Sequence, residues 1–85
     1  MFDKLKQLKQ LKELRDSVSQ EREEVEIKGV KVIINGKMEI EEIHLNPELN
    51  KEEQEEILKQ CINESVKKIQ MVLAKKMSQM QGFGI

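Results

Sequence analysis

The side chains best placed to do chemistry in this chain are nine cations on two helix-forming stretches, and the chemistry open to them is anion capture. Lys4, Lys6, Lys9, Lys12 and Arg15 lie near the N-terminus, and Lys67, Lys68, Lys75 and Lys76 near the C-terminus. Cations spaced along a helix flank can meet successive phosphates, and they equally well solvate a helix surface. The remaining reactive groups do not converge. His44 is the one histidine and sits among glutamates in a strand-like run, which suits a structural or surface residue, since metal and acid–base sites need several such groups. Cys61 stands alone, so it forms no disulfide within the chain and no zinc pattern, and its helical flanks suggest a semi-buried structural thiol. The glutamate pairs at 23–24, 41–42, 52–53 and 55–56 follow helix and strand surfaces and do not suggest an acid–base dyad. Without a glycine-rich phosphate loop, a nucleophile motif or a cofactor fingerprint, the sequence predicts no catalytic residue, metal, cofactor or small-molecule substrate. It does not read as an enzyme.

A net charge of −1 conceals a partition. Residues 1–20 carry +2 and residues 57–85 carry +4, while residues 21–56 hold twelve glutamates and carry −7. A polyanion would be drawn to the two ends and repelled by the middle.

Those cations need elements to carry them. From residue 5 to 16 a triplet repeat, Leu-Lys-Gln, Leu-Lys-Gln, Leu-Lys-Glu, Leu-Arg-Asp, is made almost wholly of helix formers. A period of three rotates the stripe by about 60° per triplet against 3.6 residues per turn. Leu8, Leu11, Leu14 and Val18 still share a band about 120° wide, whereas Phe2 and Leu5 turn away from it. This predicts a helix over 3–20, with the basic stripe winding one position behind the leucines.

Val25 and Ile27 alternate with Glu24, Glu26 and Lys28, the period of a half-buried strand over 23–28. Lys28-Gly29 reads as a tight turn. Val30 to Asn35 forms a second strand whose Ile33 makes it apolar on both faces, as expected of a central or doubly covered strand. Asn35-Gly36 carries the strongest short hairpin code, predicting a turn with φ > 0 at both positions and a third strand over 37–45. Along that strand Met38 and Ile40 share one parity, Ile43 and Leu45 the other. A bulge near Glu41-Glu42 would return them to one face.

Pro47 ends the sheet by biasing Asn46 away from helix. Asn50 with Glu53 has capping-box spacing, and Glu52, Glu53, Glu55 and Glu56 suit the positive end of a helix dipole. A helix over 50–80 then follows through Leu58, Ile62, Val66, Ile69, Leu73, Met77 and Met80, with Lys76 on the same seam. At 1.5 Å per residue it spans roughly 45 Å, so its distal half must project or pair. Residues 82–85 read as a flexible tail.

The whole is one α+β domain over 1–81: an N-terminal helix, a three-stranded antiparallel sheet and a long C-terminal helix. With 85 residues, 38% of them apolar, the core is small enough that pairing with a second copy is expected to contribute stability. No apolar run reaches the ~18 residues a membrane span needs, and the N-terminal residues lack the apolar region of a signal peptide. The acidic neighbours Asp3, Glu13 and Asp16 also spoil the first helix as a membrane-surface helix. A soluble cytoplasmic protein without a membrane partner is predicted.

Val30-Lys31-Val32-Ile33-Ile34-Asn35-Gly36, then Ile43-His44-Leu45-Asn46-Pro47-Glu48-Leu49, then Asn63-Glu64-Ser65-Val66-Lys67-Lys68-Ile69 with Lys75-Lys76-Met77, resembles the YbaB/EbfC family of bacterial nucleoid-associated proteins. The likeness spans most of residues 20–80. It implies a tweezer-like homodimer whose joined sheets hold out helical arms that bind double-stranded DNA in the nucleoid, with little or modest sequence preference. Two positions depart from the family pattern: the glycine-rich first connection is cut to Lys28-Gly29, and the acidic residue before the proline is Asn46. Combined with the charge partition, the resemblance makes the nine cations phosphate-contact candidates, which position a protein on DNA without reading bases. The competing expectation is a dimeric protein–protein interaction module whose arm seams receive a partner helix.

Overall fold

The two hairpins of the sheet close by different chemistry. In the computed structural model, which describes residues 2–81 and the side chains of residues 8, 9 and 11–78, the order is α1 (Phe2–Ser19), β1 (Arg22–Ile27), β2 (Val30–Asn35), β3 (Ile40–His44) and α2 (Lys51–Gln81). The architecture is the predicted α+β one, with β2 central in an antiparallel β1-β2-β3 sheet. The tail at 82–85 and the side chains of Phe2, Leu5 and Met80 lie outside what is described.

Between β1 and β2, Lys28 (φ 48°) and Gly29 (φ 83°) form the two-residue left-handed turn. Asn46 covers it, its Nδ2 donating to the Lys28 carbonyl at 2.9 Å. A carboxylate at this position would have no hydrogen to give that carbonyl.

The Asn35-Gly36 expectation needs correction. Neither residue has positive φ; Met38 does, at 65°. Met38 N donates to Asn35 O at 3.0 Å and Asn35 N to Glu39 O at 3.0 Å, so a type I turn followed by a left-handed residue closes a three-residue loop. Asn35 drives this from the first turn position, its Oδ1 accepting from the amides of Lys37 (2.8 Å) and Glu39 (3.1 Å). β3 accordingly starts at Ile40, later than the alternation suggested.

The expected bulge is present. Ile33 pairs with Glu42 and Ile34 with Ile40, leaving Glu41 as the extra residue. Ile40 and Ile43 thereby share the side of Ile34 and Val32. The Glu41 carboxylate accepts from Arg22 Nε at 2.6 Å and Asn35 Nδ2 at 3.0 Å, joining all three strands at the kink. Those two hydrogen bonds hold its carboxyl below the usual carboxylate range, Arg22 contributing most.

α2 begins at an Asn50 cap, where Oδ1 accepts from Glu53 N at 2.8 Å. Ile57, Cys61, Ser65 and Ile69, four apart, are its buried face against Val25, Val30, Val32 and Ile34 of the sheet. Each large apolar side chain there contributes roughly 1.5–3 kcal/mol by leaving water. Cys61 is fully buried, 3.5 Å from Val30 O, and burial pushes its thiol pKa up, as an inert structural cysteine requires. α2 covers β1 and β2 only, so Ile43 on β3 stays 45% exposed. The opposite sheet face carries Arg22, Glu24, Glu26, Lys31, Glu42 and His44 around a half-buried Ile33, so β2 is central yet covered on one side only within one chain.

Candidate nucleic-acid interface

Three contacts trace α2 along the sheet and beyond it: Cys61 lies at Val30, the Lys68 ammonium is 3.4 Å from Glu24 O, and Lys76 reaches Ser17 and Glu21. α1 arrives at the same end of the sheet, where Gly36 N donates to Glu21 O at 2.9 Å. The two helices therefore leave the sheet side by side from the Asn35-Gly36 end and do not flank it as opposite arms. One elongated body results, 60 × 19 × 13 Å.

This docking explains why position 36 is glycine. A Cβ there would press into the Val18 carbonyl, 2.5 Å from its carbon and 3.1 Å from Ser19 N. The need is for close backbone approach and not for positive φ. Leu14 and Val18, next to this junction, are half-buried, whereas Leu8 and Leu11 farther out are 62% and 55% exposed. The expected leucine face thus packs at its root alone.

The candidate cations differ in what surrounds them. Lys9, Lys12 and Arg15 on α1, with Lys67 and Lys75 on α2, are exposed and belong to no ion pair among the described residues. Lys68 and Lys75, two turns apart, line a shallow concavity with Glu23, Met71 and Val72, and Lys68 is partly engaged by Glu24 O. Lys76 is committed inside the chain: its Nζ lies 2.7 Å from Glu21 Oε1, 2.6 Å from Ser17 Oγ and 3.5 Å from Ser17 O. The side chains of Lys4 and Lys6 lie outside the described ones.

One cation was not legible in the pattern. Lys37, in the β2–β3 loop, borders the same surface depression as Arg15, Val18 and Gly36. No helical spacing relates it to Arg15; only the docking of α1 on the loop brings them together.

Distance decides how far the acidic sheet opposes the arm. The helical rise puts Lys9 about 15 Å and Arg15 about 6 Å from the end of α1. With a Debye length of about 8 Å at physiological salt, Lys9 is largely screened from the sheet glutamates and Arg15 is not. Glutamate charge at the junction is also partly offset, Glu21 by Lys76 and Glu41 by Arg22. Among the described residues no group of three or more His, Cys, Asp or Glu could hold a metal ion, and no helix is long and apolar enough to cross a membrane. His44 is exposed, 3.8 Å from Glu42.

The model of the YbaB/EbfC DNA-binding family matches residues 1–83. A nucleoid-associated protein of Caldicellulosiruptor saccharolyticus is 36% identical over 59 residues, covering 65% of this chain and 52% of that protein. Another, of Caldicellulosiruptor bescii, is 40% identical over 60 residues, covering 66% of this chain and 53% of that protein. The chain spans about half the length of these curated relatives that it matches.

Proposed function

The chain belongs to the YbaB/EbfC DNA-binding family, and on that premise we propose that it is a nucleoid-associated protein binding double-stranded DNA through the arm formed by α1 and the distal half of α2. The observation that carries the reading is the separation of charge: cations that belong to no ion pair among the described residues lie on the arm helices, while most of the glutamates gather on and beside the sheet. Lys9, Lys12, Arg15, Lys67 and Lys75 are the principal phosphate contacts, with Lys4, Lys6, Lys37 and Lys68 adding to them. Phosphate contacts carry no sequence information, so binding has little or modest base preference. The arm offers no aromatic side chain among its described residues for stacking on single-stranded bases.

A homodimer doubles this cation set and places two arms on one duplex. Supporting it are the small core and the apolar side chains left open on one flank, Met38, Ile40, Ile43 and Leu45. The protein acts in the nucleoid, where it affects DNA organisation or gene expression, with no cofactor and no chemical step.

Fluorescence anisotropy on a duplex across a salt series, paired with sedimentation, tests this. A steep fall of affinity with salt and a dimeric mass are expected. No binding at low salt would overturn the assignment. The exposure of Leu8, Leu11, Met71 and Met77 favours one rival, a dimeric module receiving a partner helix in the arm seam. Its mark would be a salt-insensitive protein partner in place of DNA affinity.

A further inference from the structure

Lys76 shares the arm with the phosphate candidates, yet its surroundings differ from theirs. Its ammonium has three hydrogens, and three acceptors surround it: Glu21 Oε1, Ser17 Oγ and Ser17 O. The side chain is 24% exposed, and its carboxylate partner 34%. Ser17 lies in the last turn of α1, and Glu21 lies just beyond the helix end, next to β1. One side chain of α2 therefore grips both sides of the joint at which α1 takes its direction. From the other side, Gly36 N holds Glu21 O, and Glu21 N holds Val18 O at 3.0 Å. Farther out, among the described residues, no comparable contact joins the helices, and Leu8, Leu11 and Met77 are all exposed.

We propose that Lys76 is a positioning residue, a clamp that sets the angle between α1 and α2, and not a phosphate contact. Meeting a phosphate would oblige it to leave a carboxylate already at ion-pair distance, which removes most of the gain. Setting an angle has leverage. A 10° swing about the joint moves Lys9, about 15 Å away along the helix, by roughly 3 Å. Successive phosphates of one strand are about 3.4 Å apart along the duplex axis, so such a swing shifts the α1 cations by nearly one phosphate. The clamp itself is independent of ligand; its effect on DNA rests on the function proposed above.

Two measurements decide it. In the first, spin labels are placed at exposed positions through Lys12→Cys and Gln70→Cys, in a Cys61→Ala background. Labelled chains are diluted with unlabelled ones so that pulsed EPR reads distances within a chain. Lys76→Met and Glu21→Ala are each expected to broaden the distance distribution, and Lys76→Arg to keep it narrow. Distributions unchanged in both loss variants would overturn the clamp. Ser17→Ala, which removes one of the three acceptors, gives a milder broadening if the larger changes unfold the chain.

The second measurement is the salt slope of duplex binding. Lys76→Met is expected to lower affinity severalfold while leaving the slope unchanged, whereas Lys75→Met lowers the slope by about 0.9 for each phosphate lost. An equal slope loss in Lys76→Met would make Lys76 a phosphate contact and overturn the proposal. If the parent protein shows no DNA affinity, the function above fails, and the EPR distances still judge the clamp.

Discussion

Gly36→Ala isolates the contact that joins α1 to the sheet. The new methyl would sit 2.5 Å from the Val18 carbonyl carbon, against an ordinary carbon–carbon contact of about 3.5 Å. The carbonyl oxygen lies closer still, so the end of α1 must retreat by more than about 1 Å. A retreat of that size stretches the hydrogen bond from Gly36 N to Glu21 O from 2.9 Å past the useful range. Leaving those groups unpaired at a buried position costs about 1–3 kcal/mol, and relief of backbone strain by rotation is blocked because the obstacle is itself backbone. The reduced freedom of the unfolded chain returns about 0.4–1 kcal/mol. The net expectation is a loss of about 1–2 kcal/mol, or a melting point lower by about 4–16 °C. Urea denaturation at fixed chain concentration checks it, with a lower midpoint at unchanged slope. Hydrogen exchange should accelerate at the amide of position 36 and at Glu21. Gly36→Asn separates close approach from left-handed backbone: asparagine tolerates positive φ but carries the same Cβ, so it should cost as much as alanine. An alanine variant within about 0.5 kcal/mol of the parent, or a much milder asparagine variant, would refute the reasoning.

Replacing Lys9, Lys12 and Arg15 together by alanine should weaken duplex binding and flatten its salt dependence by up to about 0.9 per lost phosphate contact, which the anisotropy series reads directly. Asn46→Asp removes the hydrogen given to Lys28 O and sets a carboxylate against that carbonyl. A loss of about 1–2 kcal/mol in urea denaturation is expected, and an unchanged midpoint would discount the tie. Because Glu41 has a lowered pKa when folded, it favours the folded state at pH above its unfolded value. That contribution disappears as pH falls through the lowered folded value. Glu41→Gln should therefore lessen the acid-side decline of stability in pH-resolved melting, and an identical acid profile would count against the three-strand tie. Lys67→Glu reverses charge at an exposed site, so it should weaken DNA binding at low salt while the melting point moves little.

Much of this architecture is local in origin and so legible along the chain. Alternation at Val25 and Ile27, the parity change between Ile40 and Ile43, the Asn50 cap and the helix running on from it without Gly or Pro each follow from contacts between near neighbours. The buried line of that helix is nevertheless Ile57, Cys61, Ser65 and Ile69, with the expected Leu58, Ile62 and Val66 only half-buried beside it. Strand order, the bulge and the helix limits to within a residue or two follow from the same local contacts. The basic arm and the acidic middle were likewise written in the order of the residues. Tertiary structure decided the rest: that both helices leave from one end of the sheet, that Gly36 serves close approach while Lys28-Gly29 and Met38 take the left-handed backbone, that Lys37 joins Arg15, and that Lys76 is already held. Apart from the left-handed turn residues, whose contacts are local, each of these depends on a meeting of groups far apart in the chain, Val18 with Gly36 or Ser17 with Lys76. Periodicity records which side of an element is apolar, and it carries no information about which distant backbone will come to lie against it.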